Sequence, residues 1–298
     1  ISNYKQCSFK CTCFWQIETK HKKELEEKIM CGIVGGTSER NILPILVEGL
    51  RRLEYRGYDS AGVAFKKNGT ISITKNKGRV EQLAKKLNLK ENQSNLGIAH
   101  TRWATHGIPS EKNAHPHASK NIFVVHNGII ENHNELKAQL KAEGIRFSTQ
   151  TDTEVIAHLI KTYTEKGQSF EKAVFNTIKK LKGAYALGIL DKNDPEQVIG
   201  VRNQSPLVLG KGFQENFIAS DVMALSPVTN KFVYLDDGQV ALLNHHKTVV
   251  KNASNQTVRV KTHEVDSNTY TTDLQGHNHF MEKEIFEQPA AVKDSIEG

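Results

Sequence analysis

Met30-Cys31-Gly32-Ile33-Val34-Gly35-Gly36 is an apolar run closed by glycines, which suits a buried strand. After it, Ile42 to Leu53 carries apolar residues at helical spacing until RGYDSAG, residues 56–62, breaks the pattern. Strand-like pieces follow at Ala61 to Phe65, Thr70 to Thr74, Leu96 to His100 and Ile122 to His126. Helical patterns then cover Asn134 to Glu143, Thr153 to Glu165 and Ser169 to Leu181. Short strands return at Ala184 to Leu190, Val198 to Val201, Leu207 to Leu209, Phe217 to Ala219, Phe232 to Leu235 and Val240 to Leu243. Asp236-Asp237-Gly238 sets up the last two as a hairpin. Strands thus flank a helical centre, an order that favours two sheets sandwiched with helices over a regularly alternating parallel sheet.

The 298 residues, 38% hydrophobic and 24% charged, suffice for one large domain or two small ones. The net charge of +7 is small for this length and the cations are interspersed with acids, which disfavours a nucleic-acid partner. No apolar run approaches the ~20 residues of a membrane span, and no signal-peptide pattern opens the chain. No membrane partner is expected, and the expected location is cytoplasmic. Residues 1–30 read as an extension, with Cys7, Cys11 and Cys13 clustered and a charged stretch from Lys20 to Lys28 patterned as a short solvated helix. Those cysteines lack a fourth ligand for a metal, and Cys31 stands alone in the body, so no disulfide framework is expected there. Sequons at Asn68, Asn92, Asn252 and Asn255 carry no weight without a secretory signal. Residues 271–298 are polar around Pro289 and read as the opening of another unit, so a fragment boundary is expected there.

Taken alone, Cys31 is a small core residue. Met30 before it changes the reading, because a chain starting there and losing its methionine would carry a thiol and a free α-amine on one residue. An α-amine with a pKa of about 7.7–8.0 is partly unprotonated near neutrality and can take the thiol proton. Nucleophile and base would then share a residue. The neighbouring candidates each have a plain reading as well. Asn127-Gly128 signals a turn after the strand ending at His126. Arg102 reads as a surface charge, Trp103 as a core aromatic and His106 as a loop histidine. Asp152 reads as a first-turn acid of a helix where Thr151 and Glu154 form a capping-box pattern. The histidines from His100 to His133 include no His-Glu-x-x-His pair and have no cysteine partner, so no metal is expected. Neither a phosphate loop nor a dinucleotide fingerprint is present, and no cofactor is expected.

In order along the chain, MCGIVGG at 30–36, RRLEYRGYDSAG at 51–62, HTRWATHG at 100–107, NAHPH at 113–117, HNGIIENH at 126–133 and TDTEVIAHL at 151–159 resemble the glutaminase domain of class II glutamine amidotransferases. The likeness covers residues 30–298, and RLEYRGYDSAG with FMEKEIFEQP at 280–289 resembles the branch that aminates fructose 6-phosphate. The resemblance implies an α+β fold, the four-layer α/β/β/α sandwich of N-terminal nucleophile hydrolases. It implies hydrolysis of L-glutamine to glutamate and ammonia, with Cys31 as nucleophile and Asn127 and Gly128 as the oxyanion hole. Arg102 would pair with the substrate carboxylate and Asp152 with its ammonium, while Thr105 and His106 add contacts. Trp103 would gate ammonia, and Arg56 would support the Cys31 region. The implied organisation is an extension at 1–30 absent from the mature enzyme, a glutaminase type-2 domain at 31–270, and at 271–298 a linker and the start of a sugar isomerase domain. The full enzyme would be a homo-oligomer. The rival expectation is a non-catalytic glutamine-binding or regulatory module whose Cys31 amine stays blocked by the thirty residues before it.

Overall fold

The computed structural model describes residues 31–265, with Ile285, Phe286 and Gln288 in addition. The expectations for residues 1–30, and those for 271–298 apart from these three residues, lie outside the described residues.

Strand β1 (Gly32–Ser38) is buried along its whole length, and the reason lies in its alternation. Ile33 faces a layer packed between two sheets, while Val34 faces a layer packed under helices. A strand apolar on both faces reads as a continuous hydrophobic run, as MCGIVGG does.

β1 is an inner strand of an eight-stranded sheet in the order β14-β11-β9-β10-β1-β4-β2-β3. Its members are β2 (Ser60–Lys67), β3 (Thr70–Lys77), β4 (Leu96–Arg102), β9 (Val208–Lys211), β10 (Glu215–Ala219), β11 (Lys231–Tyr234) and β14 (His263–Glu264). Helix α1 (Leu43–Leu53) lays Leu43, Leu46, Val47 and Leu50 on the outer face of this sheet, at the spacing of one helical face. Helix α2 (Val80–Leu87) adds Val80, Leu83 and Leu87. The second sheet has six strands in the order β13-β12-β8-β7-β6-β5. They are β5 (His117–Ser119), β6 (Ile122–Gly128), β7 (Tyr185–Asp191), β8 (Asp194–Asn203), β12 (Val240–Leu243) and β13 (Thr248–Lys251). Helices α3 (His133–Ala142), α4 (Glu154–Glu165) and α5 (Phe170–Ile178) cover its outer face.

Between the sheets lies the third apolar layer, drawn from both, with Ile98, Val125, Leu209, Ile218 and Leu243 among its members. Ile218 of β10 seats against Gly188 and Gly200 of the facing sheet, where an added Cβ would stand 3.1 Å and 2.9 Å from it. Burying each such side chain contributes about 1.5–3 kcal/mol. The result is the α/β/β/α sandwich with antiparallel pairing throughout the described ladders.

Three local expectations are corrected. Asp236-Asp237-Gly238 does not close a hairpin: β11 belongs to the eight-stranded sheet and β12 to the six-stranded one. The turn carries the chain across, anchored by the Gly238 N–H donating to the Arg202 carbonyl at 2.8 Å. Asn127-Gly128 likewise forms the last two positions of β6, paired with Ala186 and Tyr185, and the chain goes on into α3. The capping box is absent too. Glu154 accepts the N–H groups of Ser148 and Thr149 at 2.7 Å each, and Thr151 turns its hydroxyl to His117 at 3.1 Å.

Candidate active site

Antiparallel pairing of Gly32 with Thr101 sets the residue before β1 against the end of β4. Cys31 therefore meets Trp103, whose backbone N–H donates to Sγ at 3.1 Å, and its thiol lies 3.4 Å from the Trp103 carbonyl. Burial pushes the thiol up to about 11, against the downward pull of the Trp103 N–H and the charge of Arg102. At neutral pH the sulfur holds its proton and needs a base to become a nucleophile.

The opposite sheet supplies the other wall. Asn127, at the end of β6, donates from Nδ2 to the Cys31 carbonyl at 2.8 Å. Its Oδ1 lies 3.0 Å from His100 Nε2, which also lies 2.9 Å from the His126 carbonyl. Both partners of that nitrogen are acceptors once Nδ2 is committed, so Nε2 carries the hydrogen and fixes the amide plane. Burial lowers His100 to about 3, so the ring is neutral and its tautomer is set by these two bonds. Gly128 follows with φ +110, and a Cβ there would stand 2.0 Å from the Ala184 carbonyl oxygen. No side chain fits at this position against the Ala184 backbone.

Arg102 closes β4 and is 3% exposed, so it is not the surface charge its type alone suggests. One terminal nitrogen, Nη2, donates to the carbonyls of His106 and of Gly107, the latter at 3.0 Å. The other, Nη1, is buried without a partner. A buried cationic nitrogen with no acceptor is costly, and it fits an anionic group that arrives from outside. Asp59, inside the RGYDSAG stretch, fixes the same loop: its Oδ2 accepts the Ala104 N–H and its own N–H donates to the Arg102 carbonyl at 3.0 Å.

Asp152 is 4% exposed and accepts the Ile130 N–H through Oδ2 at 2.8 Å. His106 sets its ring edge against His133, with centroids 5.1 Å apart, and Thr105 is exposed beside it. These contacts link Cys31 to the 102–107 loop, His106 of that loop to His133, and Asp152 to Ile130 in the 130–133 segment. Trp103 is 44% exposed and is not a core aromatic. Arg56 pairs with Asp221 at 2.5 Å and donates to the Tyr55 hydroxyl at 3.0 Å. It has no described bond to Cys31 and reaches β1 only indirectly, since Ser220 beside Asp221 accepts the Ile33 N–H at 3.1 Å.

Sequence reasoning missed His100 and Asp59 as positioning residues. Nothing in a lone histidine on a strand announces that it orients an amide. The NAHPH histidines form a buried layer behind the site: His115 stacks 4.1 Å from His100 and 4.6 Å from His117. His115 Nε2 and His126 Nδ1 share the Thr153 hydroxyl at 2.9 Å each. Burial foremost lowers His115, His117 and His126 as well. Among the described residues these nitrogens do not converge as a metal-ligand set, and no helix is long and apolar enough to cross a membrane.

Known proteins are similar to this chain in sequence and in fold. A family described as a glutamine amidotransferase domain matches residues 87–281. The glutamine–fructose-6-phosphate aminotransferase (isomerizing) of Acinetobacter baylyi is 50% identical over 267 residues, 90% of this chain and 44% of that protein. Its counterpart in Escherichia coli K12 is 47% identical over 272 residues, with the same shares. The chain thus spans less than half the length of these relatives. Among solved structures, a glutamine phosphoribosylpyrophosphate amidotransferase from B. subtilis, complexed with ADP and GMP, superposes with a TM-score of 0.66 at 26% identity, over 77% of this chain and 50% of that one. A structure of the allosteric regulatory enzyme of purine biosynthesis gives 0.65 at 28% identity, over 75% and 49%. The four-layer sandwich is the one these N-terminal-nucleophile amidotransferases carry. The chain belongs to the glutamine amidotransferase family.

Proposed function

We propose that the domain beginning at Cys31 hydrolyses the side-chain amide of L-glutamine, with Cys31 as an N-terminal nucleophile. The observation that carries this reading is the Asn127 Nδ2 donor 2.8 Å from the Cys31 carbonyl, beside a thiol that must lose its proton to act. With the residues before Cys31 removed, its α-amine takes the thiol proton and the sulfur attacks the amide carbon. The oxyanion that forms is met by Asn127 Nδ2 and the Gly128 N–H. The α-ammonium returns its proton to the leaving nitrogen, ammonia departs, and water hydrolyses the thioester to glutamate, freeing the thiol. Arg102 Nη1 receives the substrate carboxylate and Asp152 its ammonium, with Thr105 and His106 on the rim.

We assign the ammonia to amination of fructose 6-phosphate, giving glucosamine 6-phosphate in a sugar isomerase domain that begins within residues 271–298. Identity supports this acceptor: the fructose-6-phosphate aminotransferases stand at 47–50%, the phosphoribosylpyrophosphate amidotransferase at 26%. Trp103, exposed beside the thiol, would gate ammonia on that route.

The test is glutamate release from glutamine by residues 31–298 and by the Cys31→Ala protein. The expected outcome is turnover in the first and none in the second, with unchanged far-UV circular dichroism. Near-normal turnover by Cys31→Ala would contradict the mechanism, and bound but unhydrolysed glutamine in both would favour the non-catalytic module.

A further inference from the structure

Glu39, His245 and His246 bring one ligand atom each to within 4.8 Å of one another. They come from different sheets: Glu39 follows β1, and the two histidines lie in the turn between β12 and β13. The imidazole rings sit side by side, centroids 4.0 Å apart. Neither these ring nitrogens nor the Glu39 carboxylate has a hydrogen-bond or ion-pair partner among the described residues. The neighbouring cation does not compete, because Arg40 is held in a two-pronged pair with Glu215 at 2.8 Å on each prong.

The backbone that presents the histidines is fixed in advance. Asn244 Oδ1 accepts the N–H groups of His246 at 3.0 Å and Lys247 at 2.7 Å, closing a tight turn. Asn216, buried in β10, donates from Nδ2 to the Asn244 carbonyl at 2.7 Å and towards that of His245 at 3.4 Å. Asn216 pairs with Thr37 of β1, two residues before Glu39. One buried side chain thus ties the histidine turn to β10, the neighbour of the strand that Glu39 follows, and a metal's outer shell works in the same way.

We propose that Glu39, His245 and His246 bind a divalent transition-metal ion that clips the end of β1 to the β12–β13 turn. Two imidazoles and one carboxylate suit Zn2+, Ni2+ or Cu2+ and not Ca2+ or Mg2+, which require oxygen ligands. Three protein ligands on the surface leave the remaining positions to water. Cys31 lies at the other end of β1, about 25 Å away at strand rise, so the ion braces the two sheets without touching the glutaminase chemistry.

The test uses the full chain with its thiols alkylated, since Cys7, Cys11, Cys13 and Cys31 would otherwise compete for the ion. Ni2+ binding is followed by calorimetry and by the thermal midpoint in the unsubstituted protein, in H245A/H246A and in E39Q. The double variant should lose one equivalent of bound Ni2+ and the Ni2+-induced rise in midpoint. E39Q, which alters one exposed side chain, should weaken that equivalent by about tenfold or more. Ca2+ should shift neither protein. Identical Ni2+ isotherms and midpoint shifts in the unsubstituted protein and the double variant would overturn the site, and an unweakened E39Q would overturn the three-ligand assignment.

Discussion

The strand-borne wall of the site and the 102–107 loop facing it stand in opposite states of completion. On the wall, Asn127 is 1% exposed, gives Nδ2 to the Cys31 carbonyl and receives His100, while the Ala184 carbonyl leaves no room for a side chain on Gly128. On the loop, Trp103 and Thr105 are exposed and Arg102 Nη1 has no partner. A wall whose groups are satisfied without substrate is pre-organised for charge that develops during reaction. On the proposed function, a loop with an unpaired buried cation is completed by the substrate. Damage to the wall should therefore lower turnover, and damage to the substrate-facing groups should weaken binding.

The largest expected effect tests the wall's foundation, the neutral histidine layer. Unfolded, each imidazole takes a proton near 6.5, whereas folded His100 is held down to about 3 and His115, His117 and His126 are also lowered, by burial first. Between those values the unfolded chain binds more protons, so stability is complete above about 6.5 and is lost as pH falls towards 3. Each histidine costs about 1.4 kcal/mol per pH unit across its window. Glu154 adds to the loss only below about pH 4.5, its ordinary value: against the upward push of burial, bonds from His158, Thr149 and Ser148 hold it well below the usual carboxylate range. Urea midpoints should fall steeply from pH 7 to pH 5, and a flat profile would mean that the layer is solvated.

Next in size is Asn127→Ala, expected to lower kcat by about a hundredfold or more with little change in KM, read from steady-state glutaminase kinetics. A change confined to KM would remove Asn127 from the oxyanion side and collapse the contrast. Smaller is Asp152→Asn, which keeps an acceptor for the Ile130 N–H and loses only the charge. KM should rise by about tenfold while kcat holds. A matching fall in kcat would place Asp152 with the wall.

The same contrast governs what the sequence made legible. β1 and α1 are plain because their apolar patterns are long and their burial is complete. The 236–238 crossing was misread for a physical reason: Val233 and Leu235 on one side and Ala241 and Leu243 on the other all enter the layer between the sheets. Such a pattern is locally the same as a hairpin's, and only long-range pairing decides which sheet receives each strand. β5 escaped because three residues leave little periodicity to see, whereas α2 went unread although Val80, Leu83 and Leu87 stand at helical spacing. In the site, the motifs brought out Cys31, Arg102, Asn127 and Asp152, but His100 and Asp59 act through contacts 27 and 45 residues away. The reactivity of Cys31 turns on the state of its nitrogen.

That state is the centre of the account. While Cys31 is joined to Met30 its nitrogen is a planar amide with no lone pair to offer, and burial foremost holds the thiol near 11. Ammonia release should be assayed from the 1–298 chain and from residues 31–298 with a free Cys31 amine, with N-terminal sequencing of both after the assay. The account predicts turnover from the shorter chain and none from an intact longer one. Equal turnover from a longer chain still beginning at Ile1 would contradict it, and would mean that another base, with His106 the first candidate, takes the thiol proton.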